Sequence, residues 1–242
     1  MAKKQYVLII DTETTMQNNV ADFGGVLVDK KGRVEKSCGV LVKEFYENEE
    51  LFWDKASEKH DPEGIWSRKG LERRQAQYKD MIEKGTRSIV SVNAINRWID
   101  KVIAEYDPYV TAYNFPFDKD KCNKSGIDLT SFKRSFCLWR AATMQWGKTK
   151  SYKQFILDGH SFNAPTKHGN MTYKTNAETM ARFVLALPDL EDEPHTALED
   201  ALYYEKPILD KLWRQHSRDK ICDMDLAYSW RNFQVRDNFT VK

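Results

Sequence analysis

Two carboxylates stand two residues apart in Asp11-Thr12-Glu13-Thr14-Thr15, directly after the apolar run Tyr6 to Ile10. In an extended segment, alternate residues point to the same face, so Asp11 and Glu13 are placed to share one metal ion. The same pentapeptide also suits a solvated turn satisfied by its threonine hydroxyls. A third carboxylate, Asp118, closes Asn114-Phe115-Pro116-Phe117-Asp118, which follows a second short apolar stretch. That position reads as the start of a helix, where an aspartate also serves as an N-cap. The last group is His195-Thr196-Ala197-Leu198-Glu199-Asp200-Ala201. Thr196 followed three residues later by Glu199 is a capping-box pattern, which sets His195 just outside a helix and Asp200 within its first turn. An imidazole on the adaptable side of such a junction and a carboxylate on the rigid side suit proton transfer next to a metal.

Several elements must bring these groups together. Tyr6 to Ile10 is continuously apolar, as expected of a strand buried on both faces in the middle of a sheet. Val20 to Val28 and Val34 to Val42 are rich in valine and flank the polar link Asp29-Lys30-Lys31-Gly32, a hairpin pattern. Residues 43 to 91 are polar and charged, with a helix predicted over Ile65 to Lys84. Helical spacing returns at Val92, Ile95, Ile99, Val102 and Ile103, and Pro108 then precedes a predicted strand, Tyr109 to Tyr113. Further helices are predicted over Asn176 to Leu187, ended by Pro188, and over Thr196 to Trp213. Strands first, then helices alternating with strands, predict an α/β fold.

The three motifs, in this order, resemble those of the DEDDh 3′→5′ exonucleases, the DnaQ-like family that includes the proofreading epsilon subunit of bacterial DNA polymerase III, ribonuclease T and oligoribonuclease. Asp-Thr-Glu-Thr-Thr is similar to the family's first motif, Asn-x-x-Phe-Asp to its second and His-x-Ala-Leu-x-Asp-Ala to its third. The resemblance runs from about Gln5 to Leu212. It implies a ribonuclease H-like fold, with a central mixed sheet of about five strands flanked by helices. It also implies an exonuclease domain over residues 1–215, extended by a helical segment around 43–91, with residues 216–242 a tail that packs or moves. Two stretches depart from the family pattern: 43–91 is longer than a compact member needs, and 217–242 has no counterpart.

What the resemblance implies about chemistry is specific. Asp11, Glu13, Asp118 and Asp200 would hold two Mg²⁺ or Mn²⁺ ions, with Asp11 bridging both. Glu13 and Asp200 would complete the ion that carries the attacking water, Asp118 would support the second, and His195 would take the water's proton. Oxygen donors favour these cations over zinc, and two ions ~3.5–4 Å apart stabilise both the attacking and the leaving oxygen of a phosphodiester. Thr12, Thr14, Asn114 and Phe117 are the candidate contacts to the terminal nucleotide. The substrate expected is nucleic acid with a free 3′ end, single-stranded, DNA favoured over RNA, released as nucleoside 5′-monophosphates. A polymerase or a second copy of the chain is the expected protein partner. The competing readings are a proofreading subunit docked on a polymerase and a catalytically silent module that holds nucleic-acid ends.

Composition narrows the setting. With 41% hydrophobic and 31% charged residues the chain is globular rather than disordered. The formal charge is only +2, so no overall field attracts a duplex and any nucleic-acid contact is local. Two interleaved basic and aromatic sets could supply it. One is Trp139, Trp146, Lys148, Lys150, Tyr152 and Lys153; the other is Trp53, Trp66, Arg68, Arg73 and Arg74. Each equally suits core aromatics beside a solvated surface. Cys38, Cys122, Cys137 and Cys222 form no Cys-x-x-Cys pair and read as free thiols. His60, His160, His168 and His216 lack partners at ligand spacing and read as ordinary histidines. Met1 to Gln5 is polar and leads into an apolar run too short for a signal core or a membrane span. A cytoplasmic protein with no membrane partner is expected, and the sequons at Asn170 and Asn238 read as chance matches.

Overall fold

The chain was analysed as a computed structural model that describes residues 4–163 and 172–229. The sequons at Asn170 and Asn238, His168 and the last part of the C-terminal tail, residues 230–242, lie outside the described residues.

Strand β1 (Tyr6–Thr14) runs antiparallel to β2 (Val20–Asp29), which pairs antiparallel with β3 (Val34–Val42). The segment after β3 contributes α1 (Lys43–Tyr46), α2 (Lys55–His60) and α3 (Arg68–Glu83), the last capped by the Ser67 hydroxyl on the Gly70 N–H. Strand β4 (Ser88–Val90) then adds to β3 in parallel, and α4 (Val92–Tyr106) crosses to β5 (Tyr109–Ala112), parallel to β1. Helix α5 (Phe115–Lys124) leads to β6 (Ser135–Cys137), parallel to β5. Helices α6 (Leu138–Trp146), α7 (Lys150–Asp158) and α8 (Ala177–Leu185) follow. The chain then forms α9 (Ala197–Asp200), a π-helical turn (Ala201–Glu205), α10 (Lys206–Gln215) and α11 (Arg218–Leu226).

The result is an α/β fold on a mixed sheet of six strands, ordered β4-β3-β2-β1-β5-β6, rather than the five expected. The two strands the sequence did not announce, β4 and β6, are three-residue edge strands fixed by their neighbours and not by any pattern of their own. β1 feeds two cores because its side chains alternate. Val7 and Ile9 pack with Val26, Val28 and residues of α6, α8 and α10 on one face. Leu8 and Ile10 pack with Ile95, Ile99 and Val102 of α4 and Phe115 and Cys122 of α5 on the other. Burying each of the aliphatic and aromatic side chains among these contributes about 1.5–3 kcal/mol, so β1 is firmly held on both faces. A third, smaller cluster seats the 43–91 segment, with Leu51, Leu71 and Tyr78 packed on Ala21 and Leu41.

Three boundaries differ from the sequence reading. α8 stops at Leu185, with Ala186 in the left-handed region (φ 55°), before Pro188 is reached. The single helix expected over Thr196 to Trp213 is split by the π-turn. The first described part of the tail is ordered as α11, started by the Ser217 hydroxyl on the Lys220 N–H and buried through Ile221. All four cysteines are free. Among the described residues no helix is long and apolar enough to cross a membrane.

Candidate active site

Asp11 and Glu13 lie inside β1, not after it: the strand continues to Thr14, pairing Asp11 with Gly24 and Glu13 with Asp22 on β2. β5 pairs with β1 only as far as Ile9. Beyond that point the β5 side of β1 has no strand partner, and the two carboxylates project beside the C-terminal end of β5. Crevices at the carboxyl ends of parallel strands are where open α/β sheets place their ligands. Asp118 reaches the same place from the first turn of α5, and His195 and Asp200 reach it from the junction into α9.

These groups line one cavity of about 730 Å³. All nine residues singled out from the sequence are on its wall: Asp11, Thr12, Glu13, Thr14, Asn114, Phe117, Asp118, His195 and Asp200. Glu13, His195 and Asp200 each offer a ligand atom within 4.8 Å of the other two, the spacing of a cation site. The His195 Nδ1 is 3.9 Å from a Glu13 oxygen. The Oδ1 of Asp200 is buried with no hydrogen-bond partner among the described residues.

The wall carries six carboxylates, since Glu193 and Glu205 join the four expected, and no lysine or arginine among the described residues. Neither glutamate was foreseen. Burial is the leading cause of every shift that follows. It pushes Glu13 up to about 8, Asp118 and Glu193 to about 7 and Asp200 to about 10, and raises Asp11 and Glu205 well above the carboxylate range. The neighbouring negative charges raise Asp11, Asp200 and Glu205 further. Burial and then Arg74 lower the His195 imidazole to about 4, so it is neutral near pH 7. Six clustered carboxyls without cationic partners are expensive unless protonated or neutralised by bound cations. An all-oxygen set with one imidazole suits a hard divalent ion.

Two side-chain partners near the site were not foreseen. The buried Thr12 hydroxyl, on the cavity wall, donates to Asp118 Oδ1 at 2.8 Å and so holds that carboxylate. Thr196 makes no capping bond. A different donor at the start of α9, the Ala197 N–H, is taken at 2.9 Å by Asp22 Oδ2 from β2, and Glu199 turns away to Arg87. A carboxylate at a helix N-terminus is favoured over a hydroxyl because it also meets the helix dipole. Asp22 and Arg87 are fully buried, and Tyr78 donates to Asp22 while its hydroxyl lies 3.4 Å from the His195 carbonyl. This network fixes the backbone of His195, whose φ of 53° is unfavourable for a residue with a Cβ. Gly24 permits the approach: a Cβ there would lie 2.3 Å from the Ala197 carbonyl.

Aromatic side chains form the remaining wall. Trp66 lies against the His195 ring at 4.7 Å, and Phe52 packs edge-on to Trp66. Arg74 is buried over the Trp66 ring, 4.9 Å from its centroid, and donates to the Phe52 carbonyl. Of the aromatic and basic sets read from the sequence, Trp66 and Trp139 reach the cavity. Trp146 and Tyr152 are core residues, and Arg68 stacks on Trp53 away from the lining. Asn114 sits at the N-cap of α5 without a side-chain cap bond, and Phe117 is 43% exposed at the rim. Asn18, Asn163, Thr175 and Asn176 complete the polar lining.

No protein-family model matches the chain, and no curated protein sequence matches it significantly.

Proposed function

We propose that the protein is a metal-dependent 3′→5′ exonuclease of the DEDDh type on a ribonuclease H-like fold, acting on single-stranded nucleic-acid ends. The observation that carries this reading is the convergence of Asp11, Glu13, Asp118, Asp200 and His195, drawn from three separate stretches of chain, on one cavity. The sheet order supports it, with an antiparallel β1-β2-β3 unit extended by parallel β5 and β6.

Glu13, Asp200 and Asp11 would hold one divalent ion and Asp11 with Asp118 another. Bound there, such ions activate a water and stabilise charge on the leaving oxygen. The chain's own residues do the rest. His195, neutral at pH 7 and beside Glu13, accepts the water's proton. The water oxygen bonds to phosphorus as the bond to the 3′ oxygen breaks, giving a nucleoside 5′-monophosphate and a strand shorter by one residue. Thr12 keeps Asp118 oriented through its hydroxyl. Phe52, Trp66, Phe117 and Trp139 offer apolar faces for a terminal base, a mode that tolerates any base because each has a π-face. With six carboxyls on the wall and no lysine or arginine among its described residues, ionised carboxylates repel phosphate until cations neutralise them.

The test is digestion of 5′-labelled single-stranded DNA and RNA of matched sequence in Mg²⁺, Mn²⁺ or EDTA, with Asp11→Ala and His195→Ala variants. A ladder shortening from the 3′ end, lost with EDTA and with Asp11→Ala, is expected, and comparison of the two substrates reads the sugar preference. Tight binding of either strand without cleavage would overturn the assignment.

A further inference from the structure

Glu205 is absent from every motif in the sequence, yet it lines the cavity at 3% exposure, and its Oε2 has no hydrogen-bond partner among the described residues. Its place there depends on a local defect. In an unbroken α-helix a residue five positions after Asp200 points roughly 140° away from it, as 3.6 residues per turn requires. Here residues 201–205 form a π-turn, in which the Lys206 N–H donates to the Ala201 carbonyl five residues back. Widening the turn rotates Glu205 back towards the face that carries Asp200. The cause is in the sequence: Pro207 has no N–H for the Tyr203 carbonyl, and its ring would clash with that carbonyl in a regular α-helix. Turns of this kind are uncommon and concentrate at functional sites.

Electrostatically Glu205 belongs with the Asp11 and Asp118 side of the cavity, while its charge also raises Asp200. Its charge is the largest neighbouring charge acting on Asp11, and that of Asp118 is the largest acting on Glu205. Thr12 already occupies one oxygen of Asp118, which leaves that side poorer in free donors than the His195 side. One Glu205 oxygen accepts the Tyr113 N–H at the end of β5, which fixes the carboxylate while Oε2 stays unpaired.

We propose that Glu205 is a fifth carboxylate ligand, which with Asp11 and Asp118 completes the cation position remote from His195. This rests on the two-ion reading above and adds to it that the π-turn exists to deliver the ligand. The alternative role, acceptance of the Tyr113 N–H alone, is served equally by a glutamine.

Glu205→Gln therefore separates the two. Mn²⁺ titration by calorimetry, with electron paramagnetic resonance to count bound ions, is run on wild type, Glu205→Gln, Glu205→Asp and Asp200→Asn, each first shown by circular dichroism to be folded in EDTA. Two ions are expected on the wild type. Glu205→Gln should weaken one of them by at least about tenfold and leave the other unchanged, Asp200→Asn should weaken the other, and Glu205→Asp should fall between wild type and Glu205→Gln. Wild-type affinities at both positions in Glu205→Gln would overturn the inference while leaving the nuclease intact. Should Glu205→Gln not fold, wild-type affinities in Glu205→Asp would overturn it in the same way. A wild-type protein that binds no Mn²⁺ would overturn both.

Discussion

Arg87 offers the most quantitative test of how the site is held. Its side chain is fully buried, as is that of Asp22, and the pair is linked by Nε to Oδ1 at 3.3 Å. Asp22 in turn takes the Ala197 N–H and the Tyr78 hydroxyl. Arg87→Met keeps much of the buried stem but leaves a carboxylate inside the protein with only these two donors. Removing one member of a buried ion pair costs about 3–5 kcal/mol, which for a domain of this size lowers the melting temperature by about 6–20 °C. Burial holds the Asp22 carboxyl above its ordinary value even with Arg87 opposing that shift, and loss of Arg87 raises it further. A carboxyl whose folded value is raised contributes stability below its unfolded value, near 4, and loses it as pH rises through the folded value. The penalty of Arg87→Met is therefore smaller at pH 5 than at pH 8. Adding Asp22→Asn removes the stranded charge and should recover most of the loss. Thermal and denaturant unfolding of the wild type and the two variants at both pH values is the assay. A loss below about 1 kcal/mol at pH 8, or a double variant as unstable as the single one, would refute the account of the network.

Three further outcomes follow from the site. With EDTA present, the melting temperature should fall as pH rises from about 5 to 9. Glu13, Asp118 and Asp200 stand at about 8, 7 and 10 against unfolded values near 4, so protonation that stabilises the fold is lost across that window; a flat profile by scanning fluorimetry would contradict this, and Mg²⁺ at pH 8 should restore the loss. Asp200→Asn should stabilise the EDTA-treated protein at pH 8 by about 1–2 kcal/mol while abolishing strand cleavage, the trade expected when a site stores destabilising charge; equal or lower stability by denaturant titration would count against it. Gly24→Ala should displace α9 from β2, because the added Cβ meets the backbone of Ala197, and lower cleavage by about 100-fold; an unchanged rate would show that the approach of these elements is not needed.

How much of this was readable in advance depended on whether a signal was local. β1, β2, β3 and β5 announced themselves because buried strands repeat apolar residues over a few positions, and α4 because its apolar residues follow a helical period. The carboxylate motifs were equally local. β4 and β6 were not, since three residues carry no period and their strand state comes from partners already in the sheet. α11 escaped because a single residue, Ile221, is buried along it. The capping box at Thr196 was legible and misled: the pattern was present, but the hydroxyl makes no capping bond, and a carboxylate from β2, distant in sequence, holds the helix start through the Ala197 N–H. Glu205 had a usable signal in Pro207, two residues on, which forbids a regular α-helix through that turn.

The same facts explain why the site sits where it does. Six carboxyls in one cavity oppose folding, so they must be carried by elements whose stability comes from elsewhere. β1 has that stability from two cores, one on each face. The short α9 lacks it, with four residues and no side-chain cap of its own. It is held instead by the buried Asp22, Arg87 and Tyr78 with the partly exposed Glu199, the polar set that also fixes His195 in its left-handed conformation. The carboxylates on β1 are thus rigid by packing, and the histidine is rigid by a polar network. Perturbing the network should move His195 and spare the β1 carboxylates, which places the effect on proton transfer before it reaches cation binding.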